Sequence, residues 1–156
     1  LRTLSLLKGL PVFVTSTGEK LGTVFDLCLA EHGRVEGLIL RKGALIKKSY
    51  LIPFEEVSSF GADGVMIEET TILQPLKETY QLFEGKERLV GKPLVSSTGE
   101  SLGILADVYF QEELGTIVGY ECSDGFFADI TEGKRVVKTD EPPMIGKDAI
   151  IVNIQP

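Results

Sequence analysis

Over residues 11–30 apolar and polar positions alternate as two strands joined by a turn would require. Pro11 to Thr15 is rich in Val and Phe, Ser16-Thr17-Gly18-Glu19 interrupts it, and Leu21 to Ala30 resumes the apolar run. Successive strand side chains point to opposite sides, so the second run places Leu21, Thr23, Phe25, Leu27 and Leu29 on one face. Gly22, Val24, Asp26, Cys28 and Ala30 fall on the other. Gly18 supplies the positive φ that a tight hairpin needs. The pattern continues with strands predicted over Val35 to Leu40, Tyr50 to Phe54 and Gly64 to Glu68, and turns at Glu31-His32-Gly33-Arg34 and Lys42-Gly43. Pro53 confines its strand to an edge or an end, and Gly22 and Gly37 suit the sharp bends of a small barrel. Short strands at this spacing predict an all-β barrel or sandwich.

The same pattern then comes round again. Leu7, Gly9 and Pro11 recur as Leu89, Gly91 and Pro93, and Ser16-Thr17-Gly18-Glu19-Lys20-Leu21-Gly22 recurs as Ser97-Thr98-Gly99-Glu100-Ser101-Leu102-Gly103. Asp26 returns as Asp107, and Gly33 and Gly37 return as Gly115 and Gly119. The offset stays at 81 to 82 residues throughout, which predicts two equivalent modules differing by single-residue changes in turns. The second apolar face becomes Leu102, Ile104, Ala106, Val108 and Phe110. We place the modules at residues 4–73 and 88–155. The intervening 74–87 is a linking segment in which Leu76, Tyr80 and Phe83 at helical spacing, Pro75 before them and Gly85 after them predict a short helix packed on a barrel. The later halves diverge: Ser49 to Phe54 stands against Gly133 to Asp140.

Leu-x-Gly-x-Pro, Ser-Thr-Gly-Glu-x-Leu-Gly, the Asp after it and the later Gly-x-Val-x-Gly-Leu together resemble the PRC-barrel family. The resemblance covers nearly the whole chain and implies two PRC-like β-barrels in tandem. That family is known from the cytoplasmic domain of the photosynthetic reaction-centre H subunit and from the C-terminal domain of a ribosome-maturation factor, with small stand-alone bacterial members besides. The motifs are turn and bend residues, so they specify a fold and leave function to be argued from sites.

Composition narrows the function classes. A net charge of −7 argues against a surface that binds nucleic acid as a whole. No apolar run reaches the roughly 20 residues of a membrane-spanning helix, and the first residues lack a signal-peptide pattern, so the expected location is cytoplasmic. Cys28 and Cys122 lie alone in apolar segments, as buried thiols of a reducing compartment do. His32, the one histidine, has no ligand-spaced or triad partners, and no phosphate-binding glycine loop is present. These readings point to no enzyme, cofactor or metal.

Two features remain. Asp26 and Asp107, at the same place in each copy, are expected to be structural polar groups that accept main-chain hydrogen bonds where strands cross. Arg41, Lys42, Lys47 and Lys48 flank Gly43-Ala44-Leu45-Ile46, an apolar hairpin tip inside a cationic collar. That composition suits an acidic protein, RNA phosphate or a lipid headgroup. The second copy offers Phe126 and Phe127 between Asp124 and Asp129, so a basic loop could meet an acidic one within or between chains, which allows a homo-oligomer. The expectation is a non-enzymatic adaptor with a protein partner; the alternative is an RNA- or ribosome-associated factor using the basic loop.

Overall fold

The computed structural model describes residues 1–30, 34–85, 88–123, 135–139 and 141–154. The chain opens with β1 (Arg2–Thr3) and a single helical turn, α1 (Leu4–Leu7), capped by the Thr3 side chain. The first module follows as β2 (Pro11–Val14), β3 (Lys20–Leu29), β4 (Val35–Lys42), β5 (Lys48–Pro53), β6 (Val57–Phe60) and β7 (Val65–Ile67). The linking segment holds β8 (Gln74–Pro75) and β9 (Gln81–Leu82). The second module contains β10 (Pro93–Ser96), β11 (Ser101–Phe110), β12 (Ile117–Ser123), β13 (Arg135–Lys138), β14 (Met144–Ile145) and β15 (Ile150–Val152).

Each module is one curled sheet. The first runs β6-β7-β2-β3-β4-β5-β8 and the second β13-β12-β11-β10-β15-β14. In both, the hairpin strands pair antiparallel while the module's last apolar strand returns parallel to its first, β7 beside β2 and β15 beside β10. The repeated glycines set the turns: Gly18 has φ of 73° and Gly99 of 92°, conformations open to glycine at no steric cost.

The face assignment along the long strands needs correction. A bulge between Val24 and Asp26 in β3, and between Leu105 and Asp107 in β11, inserts one unpaired residue. One extra residue moves every later side chain to the other face. An earlier shift against β2 and β10, which leaves Leu21 and Leu102 unpaired, has already turned Val24 and Leu105 into the core and Phe25 and Ile104, the latter 40% exposed, outward. The second bulge returns Leu27, Leu29, Val108 and Phe110 to the core face. The aspartate follows the bulge in both copies.

The linking segment also differs from expectation: among the described residues of 74–87 there is no helix. The chain is extended, β8 pairing with β5 and β9 with β3. Leu82 packs outward with Tyr80 over Cys28, Ile39 and Leu51, while its neighbour Phe83 turns inward and is fully buried in the main core. Adjacent residues buried on opposite sides demand a period of two, which a helix cannot give.

The modules exchange their leading segments. β1, ahead of the first module, pairs with the end of β11 in the second, Arg2 opposite Phe110 and Thr3 opposite Tyr109. β9, ahead of the second, pairs with the end of β3 in the first, Leu82 opposite Cys28 and Gln81 opposite Leu29. One continuous core results, drawing Leu4, Leu7, Leu27 and Leu38 together with Leu89, Leu105, Val108 and Phe110. The Phe110 ring stands edge-on to Phe54 and Phe60 of the other module, at 6.2 and 6.1 Å between centroids. Val35 N–H adds a hydrogen bond to the Gly115 carbonyl at 2.8 Å.

Candidate functional site

Asp26 and Asp107 sit where the exchanged segments cross. Asp26 is fully buried; its Oδ1 accepts from Leu27 N–H at 2.7 Å and its Oδ2 from Glu84 N–H at 2.9 Å. Asp107 Oδ1 accepts from Val108 N–H at 2.8 Å and Ser5 N–H at 3.2 Å, and its Oδ2 accepts a hydrogen bond from the Ser5 hydroxyl. Each carboxylate thus binds the main chain of the segment that leads into the other module. Burial pushes the Asp26 carboxyl up to about 6 against the opposing pull of the Glu84 and Leu27 amides, with the Glu84 side chain adding a like charge. Sequence reasoning found both aspartates but not their donors. Ser5 and Glu84 are 79 residues apart, off the repeat spacing, and carry different side chains because the donor that matters is the backbone amide.

The basic hairpin is the other site. β4 and β5 pair in unbroken register from Gly37 opposite Pro53 to Lys42 opposite Lys48, leaving 43–47 as the tip. Gly43 closes it at φ of 112°, its missing Cβ leaving room for the Ile46 carbonyl oxygen, which would stand 2.2 Å away. Leu45 at the apex is 99% exposed and Ile46 78%. Lys42, Lys47 and Lys48 are exposed, and none is ion-paired among the described residues.

Arg41 does not join them. Its guanidinium lies 3.4 Å from the centroid of Phe25, a cation–π stack that covers the bulged phenylalanine. This partner was hidden in the sequence because Phe25 reads as core until the bulge is known. Phe126, Phe127 and His32 lie outside the described residues, as does the rest of the acidic loop around Asp124 to Asp129.

A cleft of about 390 Å³ opens where the modules meet, lined by Arg34, Glu36, Phe54, Glu55, Glu112 and Leu114 among others. Glu112 is drawn to its own surroundings, within 2.7 Å of the Leu1 amino group and 3.6 Å of Arg2 Nε. Neither Cys28 nor Cys122 forms a disulfide, both are buried, and burial pushes the Cys28 thiol up to about 12, which suppresses thiolate chemistry there. Among the described residues no three His, Cys, Asp or Glu stand together as metal ligands, and no helix is long and apolar enough to cross a membrane.

Comparison with known proteins bears on which of these features belong to the fold. The PRC-barrel domain profile matches residues 2–74 and again residues 84–155. The chain belongs to the PRC-barrel family. It is also 33% identical over 156 residues to the uncharacterized protein YrrD of Bacillus subtilis (strain 168), an alignment covering 98% of this chain and 88% of that one. The first PRC-barrel match begins at Arg2 in β1, and the second begins at Glu84, two residues after β9. The β4–β5 tip repeats none of its charges or exposed aliphatics in the corresponding stretch of the second PRC-barrel, Ser123 to Asp129, so it is a property of this chain's first copy.

Proposed function

We propose that this tandem PRC-barrel protein is a non-catalytic cytoplasmic binding adaptor that docks through the tip of the β4–β5 hairpin. The observation that carries the reading is Leu45 at 99% and Ile46 at 78% exposure, on a loop closed by Gly43. Two adjacent aliphatic side chains in water gain nothing for the fold, and burying each against a partner is worth roughly 1.5–3 kcal/mol. The collar adds to the case. Lys42 stands directly across from Lys48, a like-charge pair that costs stability in an antiparallel ladder and is relieved by an anionic partner. Two buried cysteines with no disulfide between them fit a reducing compartment.

The reading of an RNA-associated factor has the same cations in its favour. It leaves the aliphatic apex unused, however, and residues 41–48 hold no aromatic ring on which a base could stack.

A photoreactive diazirine side chain at position 45 of the full chain, in the cell that makes it, tests the docking reading. The expected result is adducts at 45, of whatever chemical class, and none from the same group at Thr98 in the turn of the second module. Equal labelling from both positions, or none from 45, overturns it.

A further inference from the structure

Resting on that reading, we propose that the surface met by the tip is an anionic lipid bilayer. The argument is the order of chemistry along the hairpin. At the apex stand Leu45 and Ile46; one step back on either side come Lys42, Lys47 and Lys48; behind them Arg41 is committed to Phe25 and the ladder becomes apolar core. A bilayer presents the complementary order with depth, anionic headgroups first and acyl chains about 5–10 Å beneath. Leu45, at the midpoint of the five residues beyond the Lys42–Lys48 pair, is three residues from Lys42 and so reaches at most about 10 Å past it, at roughly 3.3 Å per extended residue. The aliphatic pair would enter the acyl boundary while the ammonium groups stayed level with the headgroups.

Charge over the whole protein sets the orientation. With a net charge of −7, most of the surface is repelled by an anionic membrane, so the approach is confined to a cationic end. Lys20 opens β3 at the same end of the sheet, since Thr23 pairs with Arg41, and it is exposed. The acids there, Glu19, Glu68 and Glu69, follow the β2–β3 turn and β7, away from the β5 side of the tip. Each cation brought to an anionic surface strengthens binding roughly fivefold. Three lysines and two aliphatic side chains therefore combine two weak attachments of different kinds, as reversible surface binding requires. A preformed protein groove would take the aliphatic pair but gives no reason for cations on both flanks, and RNA would take the cations alone.

The chain contains no tryptophan, so Leu45→Trp installs a single fluorescent reporter at the apex. Vesicles of phosphatidylcholine, with and without a quarter of phosphatidylglycerol, are the probe, and sedimentation of the full wild-type chain is read beside the reporter. The expected results are binding at least tenfold tighter to the anionic vesicles, a blue shift of the Leu45→Trp emission on them, and quenching by brominated acyl chains. Leu45→Asp with Ile46→Asp should lose binding tenfold or more. Lys47→Glu with Lys48→Glu should lose it similarly, and circular dichroism confirms that both double variants fold. Unshifted tryptophan emission on anionic vesicles overturns the proposal, as does binding by either double variant equal to wild type. If vesicles fail while the diazirine at position 45 labels a protein or an RNA, the lipid assignment falls and the docking reading stands. If position 45 labels nothing selectively, both fall.

Discussion

The two modules share their turns and their buried face, and they part company on the outside. In the first, the outer side of β3, β4 and β5 carries Cys28, Ile39 and Leu51, roofed by Tyr80 and Leu82 of the linking segment, and β8 covers the edge of β5. At the matching ladder positions of the second stand Tyr109, Glu121 and Val136; Val136 is 50% exposed, and among the described residues no strand pairs with the outer edge of β13. The repeated residues therefore mark what holds the pair together. The surface is where the first copy carries an exposed aliphatic tip and a roof, and where the described residues of the second carry no such roof.

The comparison breaks most severely if the shared core is not shared. Phe110 is fully buried in the second module, with Phe54 and Phe60 of the first as ring partners. Phe110→Ala should cost about 3–5 kcal/mol, the range for emptying a buried aromatic site. Because the leading segments are exchanged, urea unfolding should remain one transition that moves as a whole, read identically by circular dichroism and by Cys28 alkylation. Two separated transitions, with only the second module shifted, would show independently folding barrels.

A smaller contrast lies in two glycines at equivalent positions. A Cβ on Gly37 would stand 2.2 Å from the Ile52 carbonyl oxygen, and one on Gly119 would stand 3.0 Å from that of Val137. The first is an impossible contact with backbone; the second asks for a displacement of a few tenths of an ångström. Gly37→Ala should therefore destabilise by about 3 kcal/mol and Gly119→Ala by about 1 kcal/mol, within the usual range for core overpacking. Equal costs would mean that the β4–β5 ladder yields as easily as β12–β13.

These contrasts also show what the amino-acid pattern can and cannot disclose. Turns and strands were legible because they depend on local chemistry: Gly18 and Gly99 bend the hairpins, and the apolar run from Leu21 onward is a strand. The bulges were not legible, since nothing in Lys20-Leu21-Gly22 or Val24-Phe25-Asp26 marks which residue goes unpaired, and the first of them, at Leu21, moved Val24 inward and Phe25 out to Arg41. The linking segment misled for a related reason. Leu76, Tyr80 and Phe83 have helical spacing, but the decisive pair is Leu82 and Phe83, buried on opposite sides. Segment exchange is a property of tertiary pairing, and its donors at Ser5 and Glu84 act through backbone amides that any residue carries. Of the tip, its composition was legible; the stack that removes Arg41 from the cationic collar was not.

The last contrast is between the two aspartates, and pH resolves it. Asp107 has the Ser5 hydroxyl as a further donor, whereas Asp26 has Glu84 at the corresponding place, bringing a like charge with its amide. With its pKa raised from 3.8 to about 6, folded Asp26 keeps a proton that the unfolded chain has already released. The folded state therefore binds more protons in this window, so the Asp26 contribution to stability falls as pH rises from about 4 through about 6 and stays lost above it. The full change is on the order of 3 kcal/mol, and the difference in urea stability between wild type and Asp26→Asn should trace it. Asparagine cannot titrate, so the variant's own cost is a constant offset and only the slope reports the proton. Glu84→Ser sharpens the point by giving Asp26 the kind of donor that Asp107 has and removing the neighbouring charge. The midpoint should move to lower pH and the slope should shrink, even though Lys8 loses its ion-pair partner. An unchanged midpoint in Glu84→Ser would mean that desolvation alone sets the Asp26 proton, and that the different donors at the two crossings have no electrostatic consequence.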